Sequence, residues 1–178
     1  MRSGGISTAR RLQDCSGRDE GADHRSLVRT ALRLAKRARW DGLDSLVERS
    51  WRLLDRTEDY DAWLVAWPPG ANIELHDHGG SSGCVVAVSG ELVETRAAPD
   101  GNGRYALHPR RIVAHGLPVT FSGWEVHDVS NHGSEGALSV HVYSQRLTRM
   151  TFYQLEGDTL AATRCDAVED GEPEQRFP

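Results

Sequence analysis

Cysteine is scarce and poorly spaced for structural work. Cys15, Cys84 and Cys165 are the only three in 178 residues. An odd number with no CxxC pair argues against both a disulfide framework and a structural zinc knot. Long apolar runs are missing too, and no stretch approaches the roughly 18 residues that a membrane-crossing helix needs. An excess of base is also absent: 21 Lys and Arg face 26 Asp and Glu, for a net charge of −5. Nothing in that balance makes the basic footprint that a phosphate backbone requires, so nucleic acid is not an expected partner. Residues 1–22 hold Arg, Gly and Ser without the apolar core of a secretory signal. They read as a disordered lead-in, with a cytoplasmic location expected. The length suits one domain with one core, expected to be a monomer or weak homo-oligomer. Histidine, in contrast, is plentiful, with eight copies.

The chain divides by the period of its hydrophobic residues. Leu27, Val28, Ala31, Leu32 and Ala35 recur at intervals of three and four and predict an amphipathic helix. After a break at Gly42, Leu43, Leu46, Val47 and Trp51 predict a second short one. From Tyr60 the period becomes two, with Trp63, Val65 and Trp67 alternating with Leu64 and Ala66. Further short strands are expected at 73–76, 84–88, 91–96, 104–107, 111–114, 119–121, 125–129, 138–143 and 150–155, punctuated by Gly- and Asn-rich turns. The fold class read from this is mainly β, a sandwich or small barrel over about 60–155, preceded by two short helices. The domain is placed at 23–166, and the acidic, Pro-containing segment 167–178 reads as a flexible tail.

In ELHDHGGSSG, His76 and His78 stand two apart, so a strand there points both imidazoles to one face where they can share an ion. Gly70, five residues, His76, one residue, His78, four residues, Gly83, six residues and Gly90 follow the spacing of the first cupin motif, G(x)5HxH(x)3,4E(x)6G. The chain resembles cupins from about Tyr60 to Leu155, except that Gly83 stands where most have a metal-binding Glu. The resemblance implies a jelly-roll-like barrel and a third histidine later in the chain. GWEVHDVSN offers His127 for that place, with His132 as the alternative. In LSVHVY, alternation sends Leu138, Val140 and Val142 to one face and Ser139, His141 and Tyr143 to the other. That polar row lines the barrel interior if the apolar face packs against a second layer.

With HDHGGSSGCVVAVSGEL, HDVSN and SVHVYS together, the sequence resembles the cysteine dioxygenase family, thiol dioxygenases of the cupin fold, in its bacterial type. The resemblance implies a mononuclear non-haem Fe(II) held by His76, His78 and His127, with Ser139, His141 and Tyr143 as the catalytic row beside it. It implies O2 as co-substrate and L-cysteine as the thiol, oxidised to cysteine sulfinic acid. Cys84, one position beyond the Gly83 site where the mammalian type has a cross-linked Cys, is expected to face away as a buried structural thiol. The family also brings an Arg to the substrate carboxylate. Arg49, Arg52 and Arg56 are available, and alignment favours Arg52, with Tyr143 sharing the contact. Trp63, Trp67, Trp124, Val86 and Val88 are candidates for a wall excluding water. The competing readings are a 3-mercaptopropionate dioxygenase on the same scaffold, a non-catalytic metal-binding sensor and, last, a zinc- or manganese-dependent isomerase.

Overall fold

The computed structural model describes residues 24–113 and 117–168. The expected lead-in, Cys15, His115 and 169–178 of the expected tail lie outside the described residues. One α-helix, α1 (His24–Ala35), precedes the strands β1 (Ser50–Arg56), β2 (Tyr60–Trp67), β3 (Asn72–Asp77), β4 (Ser82–Ser89), β5 (Glu91–Pro99), β6 (Tyr105–Val113), β7 (Val119–Phe121), β8 (Val126–Ser130), β9 (Ala137–Ser144), β10 (Arg149–Glu156) and β11 (Thr159–Ala167). They form two antiparallel sheets in the orders β1-β2-β9-β4-β7 and β11-β10-β3-β8-β5-β6.

The first sheet is covered on both faces. Trp63, Val65 and Trp67 of β2, Val85 and Ala87 of β4 and Tyr143 of β9 point inward, where they meet Ile73, Leu92, Val129, Met150 and Phe152 of the second sheet. Ala62, Leu64, Ala66, Cys84, Val86, Leu138, Val140 and Val142 point outward under Leu27 and Ala31 of α1. Period two therefore runs through β2 and β9 although every residue from 61 to 67 and from 137 to 143 is buried. The helix is the second layer that turns the polar side of 138–143 into the barrel.

Two sequence expectations are corrected. The second helix is absent: residues Leu43–Ser45 form a single 3-10 turn after Gly42, which has φ 74°. Trp51 instead lies in β1, opposite Val65 of β2. The apolar spacing that suggests a helix serves two purposes, since Leu43 and Leu46 pack beside α1 and Trp51 packs on the inner cluster. Pairing with β2 outweighs local periodicity there. Strands expected at 104–107 and 111–114 are one strand, β6, running through Pro109. β6 is the outer strand of its sheet, and a proline lacking an N–H is tolerated there. β11 extends the sheet beyond Leu155, and Val168, at the start of the expected tail, is buried with its N–H donated to Thr148 O at 2.9 Å.

Candidate metal centre

β3 and β8 are neighbours inside the second sheet, and they carry the histidines. His76 and His127 are direct cross-strand partners. A register shift between Ile73 and His76 lets both, three residues apart, face inward. His78 sits one residue beyond β3 in a turn fixed from two sides. The N–H groups of His78 and Gly80 both donate to Gly123 O at 3.2 Å, while Asp77 accepts from Gly79 N at 2.8 Å and from the Tyr153 hydroxyl at 2.6 Å. The three imidazoles are buried, their ring centroids 4.8, 4.9 and 5.0 Å apart. One nitrogen from each lies within 4.8 Å of the others.

Hydrogen bonds select which nitrogen faces the centre. His76 donates from Nδ1 to Glu74 O at 2.7 Å, and His127 from Nδ1 to Glu94 Oε1 at 2.8 Å. Each thus presents Nε2 as a lone pair. His78 Nδ1 is buried with no hydrogen-bond partner among the described residues. Burial pushes its imidazole well below the ordinary 6.5. Neutral, desolvated nitrogens converging on one point fit a transition-metal ion.

Glu94 is the residue that sequence reasoning missed. It follows buried Leu92 by two on β5, so its carboxylate also faces in, with no exposure at all. Burial works against its charge. The hydrogen bond from His127, the charge of Arg96 and the hydrogen bond from Arg110 outweigh burial and hold its carboxyl below the ordinary 4.5. Arg96 Nε and Arg110 Nε donate to Glu94 Oε2 at 3.2 and 3.0 Å. The only signal in the sequence was a charged residue at an inward place in the β5 alternation.

Ser139, His141 and Tyr143 lie in a buried row on the inner face of β9. Ser139 Oγ is 2.9 Å from His141 Nε2, and His141 Nδ1 is 3.3 Å from the Tyr143 hydroxyl. The Tyr143 ring stands 5.2 Å from that of His78, so the row ends at the histidine cluster. Gly83 is the cross-strand partner of both Tyr143 and Phe121. A Cβ at Gly83 would overlap the Phe121 ring, which stacks on His78 at 4.4 Å. The space where a fourth protein ligand would start is therefore filled by an aromatic ring. Cys84 faces the α1 layer instead, and burial pushes its thiol up to about 12. Neither described cysteine stands beside Tyr143.

The arginine, tryptophan, valine and histidine candidates divide between the site and other surfaces. Arg52 is exposed, pairs in register with Leu64 on the α1 side, donates to Arg39 O and lies 5.3 Å from the Trp40 ring. The arginine that alignment favours for the carboxylate thus lies on the α1 face of β1, away from the histidine cluster. Arg49 stacks over Trp51 and Trp67, at 5.0 and 5.3 Å. Arg56 pairs in register with Asp61, donating from Nε to Asp61 Oδ1 at 2.9 Å. Val86 and Val88 pack in the α1 layer and Trp124 is 48% exposed. The aromatic rings of Phe121, Phe152, Trp63 and Trp67 pack in the inner cluster. His132 is exposed and bonded to Ser130, which leaves His127 as the third member of the cluster.

The family model of cysteine dioxygenase type I matches residues 32–155, well over half of the chain. The chain belongs to the cysteine dioxygenase type I family. Its site of His76, His78 and His127 is a group that could hold a metal ion. Similar solved structures include an oxalate oxidase in complex with the substrate analogue glycolate, at 20% identity and a TM-score of 0.52, covering 64% of this chain and 59% of that one. They also include Peruvianin-I, a cysteine peptidase from Thevetia peruviana latex, at 16% identity and 0.52, covering 68% and 76%. A third is the Cupin_2 domain of an XRE family transcriptional regulator from Enterobacter cloacae, at 24% and 0.42, covering 53% and 94%. The family member thus spans 59% of the oxalate oxidase chain, with which it shares a fold. No described helix is long and apolar enough to cross a membrane.

Proposed function

We propose that this chain is a thiol dioxygenase that converts L-cysteine to cysteine sulfinic acid. The observation that carries the reading is the all-imidazole cluster of His76, His78 and His127, with Phe121 in place of any carboxylate ligand and Tyr143 beside it. Three neutral donors leave the charge of a divalent ion uncompensated, and an anionic thiolate is the soft ligand such a site favours. A ferrous ion held there supplies the redox chemistry that joins both atoms of O2 to sulfur. Thiol plus O2 equals sulfinic acid in atoms and electrons, so no external reductant enters.

The protein's own groups do the rest. The aromatic wall keeps water from the reacting sulfur. Tyr143, held by His141, is placed to hydrogen-bond the substrate beside His78. Of the three arginines read from the sequence, Arg56 is the one best supported for the substrate carboxylate. Its register partner Asp61 is itself paired with Tyr143, and its guanidinium lies 5.6 Å from the inward ring of Trp63. A planar fork of N–H donors suits a carboxylate. 3-Mercaptopropionate is the alternative substrate, because it offers the same thiol and carboxylate and lacks only the amine.

The test is oxygen uptake by the anaerobically iron-loaded protein with L-cysteine, 3-mercaptopropionate and cysteamine in parallel. Uptake with cysteine, weak uptake with cysteamine, and a KM for cysteine raised about tenfold in Arg56→Gln are expected. Preference for 3-mercaptopropionate overturns the substrate, and metal binding without any thiol-dependent uptake makes the chain a sensor.

A further inference from the structure

The catalytic row does not begin at Ser139. Trp67, at the end of β2 and without exposure, donates its indole Nε1–H to Ser139 Oγ at 2.8 Å. An indole nitrogen only donates. Ser139 Oγ therefore accepts at one end of the row, and its single hydrogen needs an acceptor in a buried place. Among the described residues, the one hydrogen-bond neighbour of Ser139 Oγ besides Trp67 is His141 Nε2, at 2.9 Å. If that nitrogen carried a proton, the serine hydrogen would be left unsatisfied at full burial, which is costly. His141 Nε2 is then the acceptor, and the ring proton sits on Nδ1. From there it points at the Tyr143 oxygen, 3.3 Å away. A phenol oxygen that accepts from His141 turns its own hydrogen elsewhere.

We propose that Trp67 is a positioning residue that sets the direction of the Ser139–His141–Tyr143 row, fixing the Nδ1–H tautomer of His141 so that the Tyr143 hydroxyl donates toward substrate. The indole is well held for this task. Its ring stacks on that of His141 at 6.1 Å with 28° between planes, and the Trp67 carbonyl accepts from Asn131 Nδ2 at 2.8 Å. Asn131 is anchored in turn by its donation to Glu135 O and by Gly133 N, both at 2.8 Å. The catalytic consequence rests on the thiol dioxygenase reading. The tautomer itself does not.

The experiment reads the tautomer in the metal-free full chain labelled with 15N-histidine. Long-range 1H–15N spectra are used, and the His141 signals are assigned by their loss in His141→Gln. The expected result is a single Nδ1–H tautomer in the parent chain and a mixed or Nε2–H pattern in Trp67→Phe, which keeps an aromatic ring and removes the donor. Ser139→Ala, which cuts the row between the two rings, should reproduce that change and decides the matter if Trp67→Phe does not fold. An Nε2–H ring in the parent chain overturns the proposal, as does an unchanged Nδ1–H ring in the variants. In the iron-loaded enzyme, Trp67→Phe should lower kcat about tenfold with KM little changed, the mark of a donor that matters in the transition state. A parent chain with the Nδ1–H ring that oxidises no thiol would sink the functional reading alone. Thiol oxidation with the opposite tautomer would sink this one alone.

Discussion

Glu94→Gln keeps the shape of a side chain buried at His127 and takes away the charge that holds that ring. A carboxylate behind a histidine ligand raises its basicity and fixes its orientation, and losing such a partner costs roughly 10–100-fold in metal affinity. Metal titration of the apo-protein checks this, with the parent chain and Arg110→Gln as references. Arg110→Gln removes the two Arg110 donors to Glu94 while leaving the Arg96 contact and the carboxylate itself, so a smaller loss is expected. A second residue-scale expectation concerns Cys84, whose thiol burial pushes from 9.0 up to about 12. The folded chain binds that proton more tightly than the unfolded chain. The stabilisation is fully present below pH 9 and is lost as pH rises toward about 12. Urea midpoints measured from pH 8 to 11 should fall in the parent chain and fall less in Cys84→Ala.

Among the elements, those whose alternation and burial agree were legible from the sequence. The β9 segment is the clearest case, since three apolar residues and three polar ones at period two define both its faces, and α1 supplies the outer layer that the pattern requires. β1 was not legible, because its residues follow a helical spacing while each serves a different neighbour. Glu94 and Phe121 were missed for a related reason: their roles depend on cross-strand partners far apart in sequence, Glu94 with His127 and Phe121 with Gly83. At this scale α1 acts as a cover. Leu27→Ala removes a side chain buried to 6% exposure beneath which no metal ligand lies. A loss of about 2–4 kcal/mol in urea unfolding is expected, with metal affinity unchanged within twofold. A parallel loss of metal affinity would mean that α1 shapes the site.

The whole molecule is two sheets closed around one polar cluster, and each sheet contributes half of it. The second sheet brings the three histidines together, and the first presents the Tyr143 row across from them. The two halves meet only in the folded barrel, which is why the sequence showed both sets of residues and left their juxtaposition to the structure. The proposed thiol dioxygenation rests on membership of the cysteine dioxygenase type I family together with the cluster geometry. The most direct test is to run the iron-loaded protein with L-cysteine under 18O2 and weigh the product. Cysteine sulfinic acid carrying two heavy oxygens is the predicted result. Disulfide alone, or a sulfinic acid without both labels, would contradict the assignment of this site to thiol dioxygenation.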